Sequence, residues 1–141
     1  MHKVILPSIV KSEIGTEFDL DSIEQVLYLN KKIENILISW VETSTGILNP
    51  IEEVYNLSVK YNKNLYIDSV SAIGCENIDL SELKLTCIVG HSGKAIGSFP
   101  GIGIIICKRD LFKKNNHNKT YYLNLFKYFK YAEEYSQTPH T

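Results

Sequence analysis

No charge of either sign dominates this chain: 15 basic residues against 16 acidic ones leave a net charge of -1. Nothing global therefore draws it to nucleic acid or to an anionic membrane, and a small neutral-to-acidic metabolite is the better expected partner. Cysteine is scarce and odd in number. Cys75, Cys87 and Cys107 are widely spaced in apolar or strand-like sequence, which argues for reduced thiols in a cytoplasmic compartment. They form no zinc pattern, and no other ligand lies at metal spacing to His2, His91, His117 or His140, so no metal site is expected. Long apolar runs are missing too. Residues 4–10 are too short and interrupted for a signal sequence, and no stretch approaches the roughly 20 apolar residues of a membrane span. Repeats are also lacking. What remains is one domain's length, 141 residues, enough to bury a core.

Strand-like and helix-like runs alternate. Residues 4–6 read as a short strand, and residues 20–29 as a helix with Ile23, Val26 and Leu27 on one face and Asp19 or Asp21 as its cap. Residues 36–40 read as the next strand. In Asn49-Pro50-Ile51-Glu52 the asparagine suits an N-cap, the proline a first helical position and the glutamate the position three beyond the cap. Ile51, Val54, Tyr55, Ser58 and Val59 then mark the inward face. Strands follow at 65–68 and 86–89, with a short helix expected at 80–83. Residues 102–107 are nearly all apolar, as in a strand covered on both faces. This order predicts an α/β layered sheet, mostly parallel; the last two strands lack a helix-length connection, which leaves an antiparallel pairing open. Residues 113–119 form a polar loop. The Lys- and Tyr-rich stretch 121–131 reads as an amphipathic cover helix rather than a nucleic-acid or membrane surface.

Chemistry concentrates at two strand exits. Lys94 stands in Gly90-His91-Ser92-Gly93-Lys94-Ala95-Ile96-Gly97-Ser98-Phe99-Pro100-Gly101, and Asp68 closes the apolar run that begins at Asn64. A lysine after a strand is most often solvated. Here small and apolar neighbours suggest a desolvated amine, freed to attack an aldehyde. A carboxylate paired with such an amine is what a pyridoxal phosphate site requires, the acid keeping the pyridine nitrogen protonated. Rival motifs fail at this place. A G-x-S-x-G elbow would need glycine at Lys94, and a phosphate-binding Walker loop would need glycine at Ile88 and a hydroxyl at Ala95.

Three blocks stand in order: Val41-Glu42-Thr43-Ser44-Thr45-Gly46-Ile47-Leu48-Asn49-Pro50, then Ile67-Asp68-Ser69-Val70-Ser71-Ala72-Ile73-Gly74, then the lysine block. Together they resemble the class V aminotransferases, in the group of the alanine:glyoxylate, serine:pyruvate and 2-aminoethylphosphonate:pyruvate enzymes. The resemblance covers about residues 15–141 and only the middle of the family's large domain. It implies that residues 1–141 are the central part of a cofactor-binding large domain, truncated at both ends and without a second domain.

The resemblance also implies pyridoxal 5'-phosphate as cofactor, Lys94 as its Schiff-base lysine and Asp68 as the pyridinium partner. Val70 would lie on the ring face and Thr43 near the phenolic oxygen, although Thr43 reads equally well as a turn threonine. Ser92 suits a phosphate contact or a hydrogen bond inside the lysine loop. Tyr135 and Thr138, in Tyr135-Ser136-Gln137-Thr138-Pro139, match residues that reach the phosphate across a dimer interface; a polar turn is the equal alternative.

Two departures stand out: Gly93 replaces the glutamine many relatives carry before the lysine, and His91 is unusual. The family's phosphate loop and substrate arginine lie outside the matched region, and the lone arginine, Arg109, belongs to another motif. The implied function is amino transfer between a small amino acid or aminophosphonate and a 2-oxo acid. This chain alone is expected to be inactive, working as a homodimer or with complementing chains. A cysteine desulfurase-like fragment and a non-catalytic remnant or assembly partner are the alternatives.

Overall fold

The computed structural model describes residues 7–112 and 124–136. The expected strand at 4–6, the loop at 113–119, residues 121–123 and Thr138 lie outside the described residues. The chain divides after Cys107 into two compact units.

In the first unit, α1 (Leu20–Leu29) starts where Asp19 Oδ1 accepts the Ser22 N–H at 3.1 Å, an N-cap that satisfies a helix-end donor. Next come β1 (Asn35–Ser39), α2 (Ile51–Lys60), β2 (Asn64–Asp68), β3 (Cys87–His91) and β4 (Gly103–Cys107). The four strands lie in the order β1-β2-β3-β4. The first three are parallel, with Ile38 opposite Ile67 and Ile67 opposite Ile88, and β4 returns antiparallel with Cys107 opposite Cys87. This is the mixed, mostly parallel α/β sheet that the alternating pattern predicts.

Strand alternation explains the core. Ile36, Ile38, Leu65, Ile67 and Ile88 share one face and are buried with Ile23 and Leu27 of α1 and Ile51 and Val54 of α2. Each such side chain contributes about 1.5–3 kcal/mol when fully buried. Lys60 and Tyr61 both donate to Glu24 Oε1, at 2.5 and 2.8 Å, and tie the end of α2 to α1. On the opposite face Leu37 is 79% exposed, whereas Tyr66 and Val89 are half-buried and Cys87 is buried.

Four expectations give way to the structure. Val59, expected on the inward face of α2, is 60% exposed. Asn49 does not cap α2, whose N-cap is Pro50; its side chain instead donates from Nδ2 to Ser39 O at 3.0 Å. The buried amide thereby closes the loop after β1. Residues 80–83 form a turn rather than a helix, because Asp79 Oδ1 accepts both the N–H and the hydroxyl of Ser81. Nor is β4 covered on both faces: Ile105 and Ile106 are 43% and 41% exposed. It is the strand at the end of the sheet, and the core cluster stops at Ile88 of β3.

The second unit holds a 3-10 turn (Arg109–Phe112) and α3 (Leu125–Tyr135). The Phe112 and Phe129 rings stack at 4.4 Å, and Arg109 pairs with Glu133 while lying over the Phe129 ring. No helix among the described residues is long and apolar enough to cross a membrane.

Candidate active site

In sheets of parallel strands, loops at the carboxyl ends are where ligands bind. Here three such loops meet. The loop after β1 is a tight reversal: Val41 bridges Leu48, Glu42 N–H donates to Ile47 O, and Gly46 N–H returns to Glu42 O at 2.8 Å. Gly46 takes a φ of +74°, which a residue without a Cβ adopts at no steric cost. Thr43 sits on this reversal.

The loop after β2 begins at Asp68, whose Oδ1 accepts the Val70 N–H at 3.0 Å. Ser69 is fully buried and donates both its N–H and its hydroxyl to Val89 O of β3. Ala72 and Ile73 donate back to Ser69 O, a turn that places Ser71.

The loop after β3 carries the lysine. Ser92 is 5% exposed; its hydroxyl donates to Phe99 O at 2.6 Å and accepts from Ile102 N–H at 3.3 Å. Gly97 N–H donates to Lys94 O at 2.8 Å, so Lys94 opens a turn held at its base by Ser92.

The three loops meet at one amine. Lys94 Nζ lies 3.4 Å from Thr43 Oγ1 and 3.4 Å from Ser71 Oγ, and the two hydroxyl oxygens are 2.8 Å apart. Both hydroxyls accept from Nζ while one hydroxyl donates to the other. The remaining hydroxyl proton is left for an outside acceptor. Lys94 is exposed, contrary to the desolvated setting that its small and apolar neighbours suggest. The physical reason is that Gly93 and Gly97 shield little, while Phe99 is 89% exposed and turns away from any core.

The family description "Aminotransferase class-V" matches residues 8–136. The chain belongs to the class V aminotransferases. It is 34% identical over 117 residues to a 2-aminoethylphosphonate--pyruvate transaminase of Bacillus mycoides, covering 82% of this chain and 32% of that protein. A second enzyme of that name, from Bacillus cereus, is 36% identical over 105 residues, covering 74% of this chain and 29% of the relative. The chain thus spans about a third of the length of the curated relatives it matches. Among solved structures, the ureidoglycine-glyoxylate aminotransferase of Bacillus subtilis superposes with a TM-score of 0.81 at 22% identity. The alanine--glyoxylate aminotransferase of a Nostoc species gives 0.74 at 21% identity. Each alignment covers 94% of this chain and 36% of the other, and shows a shared fold.

In this class V aminotransferase chain, the other expected site residues are placed as follows. Asp68 ends β2 and is exposed, and half-buried Val70 follows it in the turn. Asp68 performs the turn-capping role, yet a carboxylate has several acceptor positions and only one is used by Val70. Ser92 commits its hydroxyl to Phe99 and Ile102, so it is a loop fastener; a phosphate contact would have to displace those bonds. Tyr135 ends α3 in the second unit, 61% exposed and against the Tyr131 ring. Thr138 lies outside the described residues. Burial pushes the Cys87 thiol up to about 11, with neighbouring Cys107 adding to the shift, so Cys87 is a poor nucleophile.

Ser71 is the site residue that the sequence left unassigned. Its one signal was a hydroxyl three residues beyond Asp68, and its partners lie 28 and 23 residues away along the chain. Ser71→Ala is expected to leave Thr43 Oγ1 as the one hydroxyl beside Nζ and to slow aldehyde capture at Lys94 by roughly three- to tenfold, the worth of one hydrogen bond. Ser71→Thr should retain the wild-type rate. Stopped-flow absorbance with pyridoxal 5'-phosphate reads both, and equal rates for Ser71→Ala and wild type would remove Ser71 from the site.

Proposed function

We propose that this chain carries the amine-bearing centre of a pyridoxal 5'-phosphate-dependent transaminase. The observation that supports this best is the meeting of Lys94 with Thr43 and Ser71, three loops from the carboxyl ends of three neighbouring parallel strands. The donor set suits the cofactor: an amine for its aldehyde, hydroxyls for its phenolic oxygen and a strand-end carboxylate, Asp68, for a protonated ring nitrogen. When bound, the cofactor supplies a carbonyl for the amine and a ring able to accept electrons from a substrate carbon.

The chain's own residues divide the remaining work. Lys94 Nζ would hold the cofactor, yield to the substrate amine and then take the proton from the substrate carbon as general base. Asp68 would keep the ring nitrogen protonated, since a carboxylate opposite a cation favours the charged pair. Val70 would pack on the ring face and Thr43 would hold the phenolic oxygen. Substrates would be a small amino acid or aminophosphonate as donor and a 2-oxo acid as acceptor, in keeping with the names of the Bacillus relatives. The working enzyme would be a cytoplasmic homodimer, or an assembly with chains carrying the rest of the large domain, in which Tyr135 and Thr138 reach a neighbouring site.

The test is an assay of the assembled enzyme with 2-aminoethylphosphonate and pyruvate, serine and pyruvate, and alanine and glyoxylate. Transfer in at least one pairing, dependent on added pyridoxal 5'-phosphate, supports the reading. No transfer in any of them, with the cofactor bound, contradicts it.

A further inference from the structure

We infer that His91 is a positioning residue for the lysine turn: its imidazole anchors the peptide ahead of Lys94 from the space that a side chain at position 93 would occupy. The inference rests on Lys94 as the reactive amine. His91 Nδ1 accepts the Gly93 N–H at 3.0 Å. A neutral imidazole that accepts at Nδ1 carries its proton on Nε2, so the bond selects one tautomer.

Gly93 is required first by Pro100 and then by the ring. A Cβ at this position would come within 2.9 Å of Pro100 Cα and Cβ, distances that real Cβ atoms do not show without a shift of Pro100, and 3.0 Å from His91 Cε1, where the ring would have to give by a few tenths of an ångström. Without a side chain of its own, position 93 is fixed through its N–H alone, and His91 is the acceptor.

Its place in the sheet connects the ring to the site. His91 is the last residue of β3, opposite Gly103 of β4. Alternation along the strand puts it on the face of Val89, and Val89 lies opposite Asp68. The half-buried ring thus stands on the Asp68 face of the sheet, where the chain departs toward Lys94.

The same local bond recurs with shorter side chains. Asn30 Oδ1 accepts from Lys32 N–H, Asp68 Oδ1 from Val70 N–H and Asp79 Oδ1 from Ser81 N–H, each two residues on. An asparagine at 91 can copy that geometry, whereas a phenylalanine fills the space without offering an acceptor.

The experiment compares wild type, His91→Asn and His91→Phe of the 141-residue chain by amide hydrogen exchange and by borohydride trapping of pyridoxal 5'-phosphate. His91→Phe should speed exchange at Gly93 by up to about tenfold, the worth of one hydrogen bond, while the Ile67 amide in the core keeps its protection. Labelling of Lys94 relative to the other lysines should fall by roughly three- to tenfold on the same basis, and His91→Asn should restore both readouts to within about twofold of wild type. Unchanged Gly93 exchange in His91→Phe, or failure of asparagine to restore either readout with core protection intact, overturns the proposal. Should His91→Phe lose core protection, wild type against His91→Asn decides: equal Gly93 protection supports the role and loss of it overturns it. Wild-type labelling spread evenly over all lysines would refute the Lys94 reading, while Gly93 exchange would still score the His91 bond.

Discussion

Lys94→Ala is expected to lower amino transfer in the assembled enzyme by at least ~10²-fold, the lower end of what a positioned general base contributes. The fold should hardly notice. Lys94 is exposed, and its two contacts to Thr43 and Ser71 are long at 3.4 Å. Surface changes of this kind usually stay within about 0.5 kcal/mol in stability. Loss of turnover with an unchanged thermal midpoint is therefore the expected pair of results, read by a coupled keto-acid assay and calorimetry. Retained turnover would move the chemistry to another amine. Lys63→Ala is the control: Lys63 Nζ donates to Lys31 O beside α1, away from the carboxyl ends of the strands, and its removal should leave the rate alone.

The 141 residues by themselves are expected to show no measurable transfer. A substrate carboxylate needs a planar, bidentate clamp to fix it, and arginine is the side chain suited to that task. The one arginine, Arg109, is paired with Glu133 and lies over Phe129 in the second unit. Without a clamp, the substrate carbon would not be held at Lys94 Nζ, and such positioning can be worth roughly 7–11 kcal/mol of a barrier. Exposed Leu37 and the partly exposed strand β4 should also make the isolated chain self-associate. Supplying the remaining segments of a relative's large domain in the same tube should raise transfer from background to a measurable rate. Robust turnover by a monomer of the 141 residues would show that the clamp is already present.

Local rules carried most of the fold. Period-2 and period-3.6 patterns placed β1, β2 and α1 to within a residue and capping chemistry placed the start of α2, and the short connection between β3 and β4 left room for their antiparallel pairing. Local rules failed where a residue had a distant choice. Asn49 has the chemistry of a cap, but Ser39 O offered its amide a partner ten residues back. The apolar run 102–107 correctly signalled a strand, yet composition cannot tell which faces of it find cover, and β4 has Ile105 and Ile106 partly exposed. The candidate site divides in the same way. Lys94, Asp68 and Thr43 stand out as candidates in the sequence because each stands in a block with recognisable neighbours. Ser71 does not, because its role exists only once the β2 loop folds against Thr43 and Lys94. His91 was visible as an oddity, and its bond to Gly93 appeared only with the turn in three dimensions.

The central claim is that Lys94 is the amine that holds the cofactor. The most direct measurement is borohydride reduction of the protein with pyridoxal 5'-phosphate, followed by peptide mass mapping of every lysine. The account predicts label concentrated on Lys94 and lost from the map in Lys94→Ala, with the remaining lysines at the background of unspecific reaction. Label distributed evenly over the lysines, or concentrated on one other than Lys94, would contradict it.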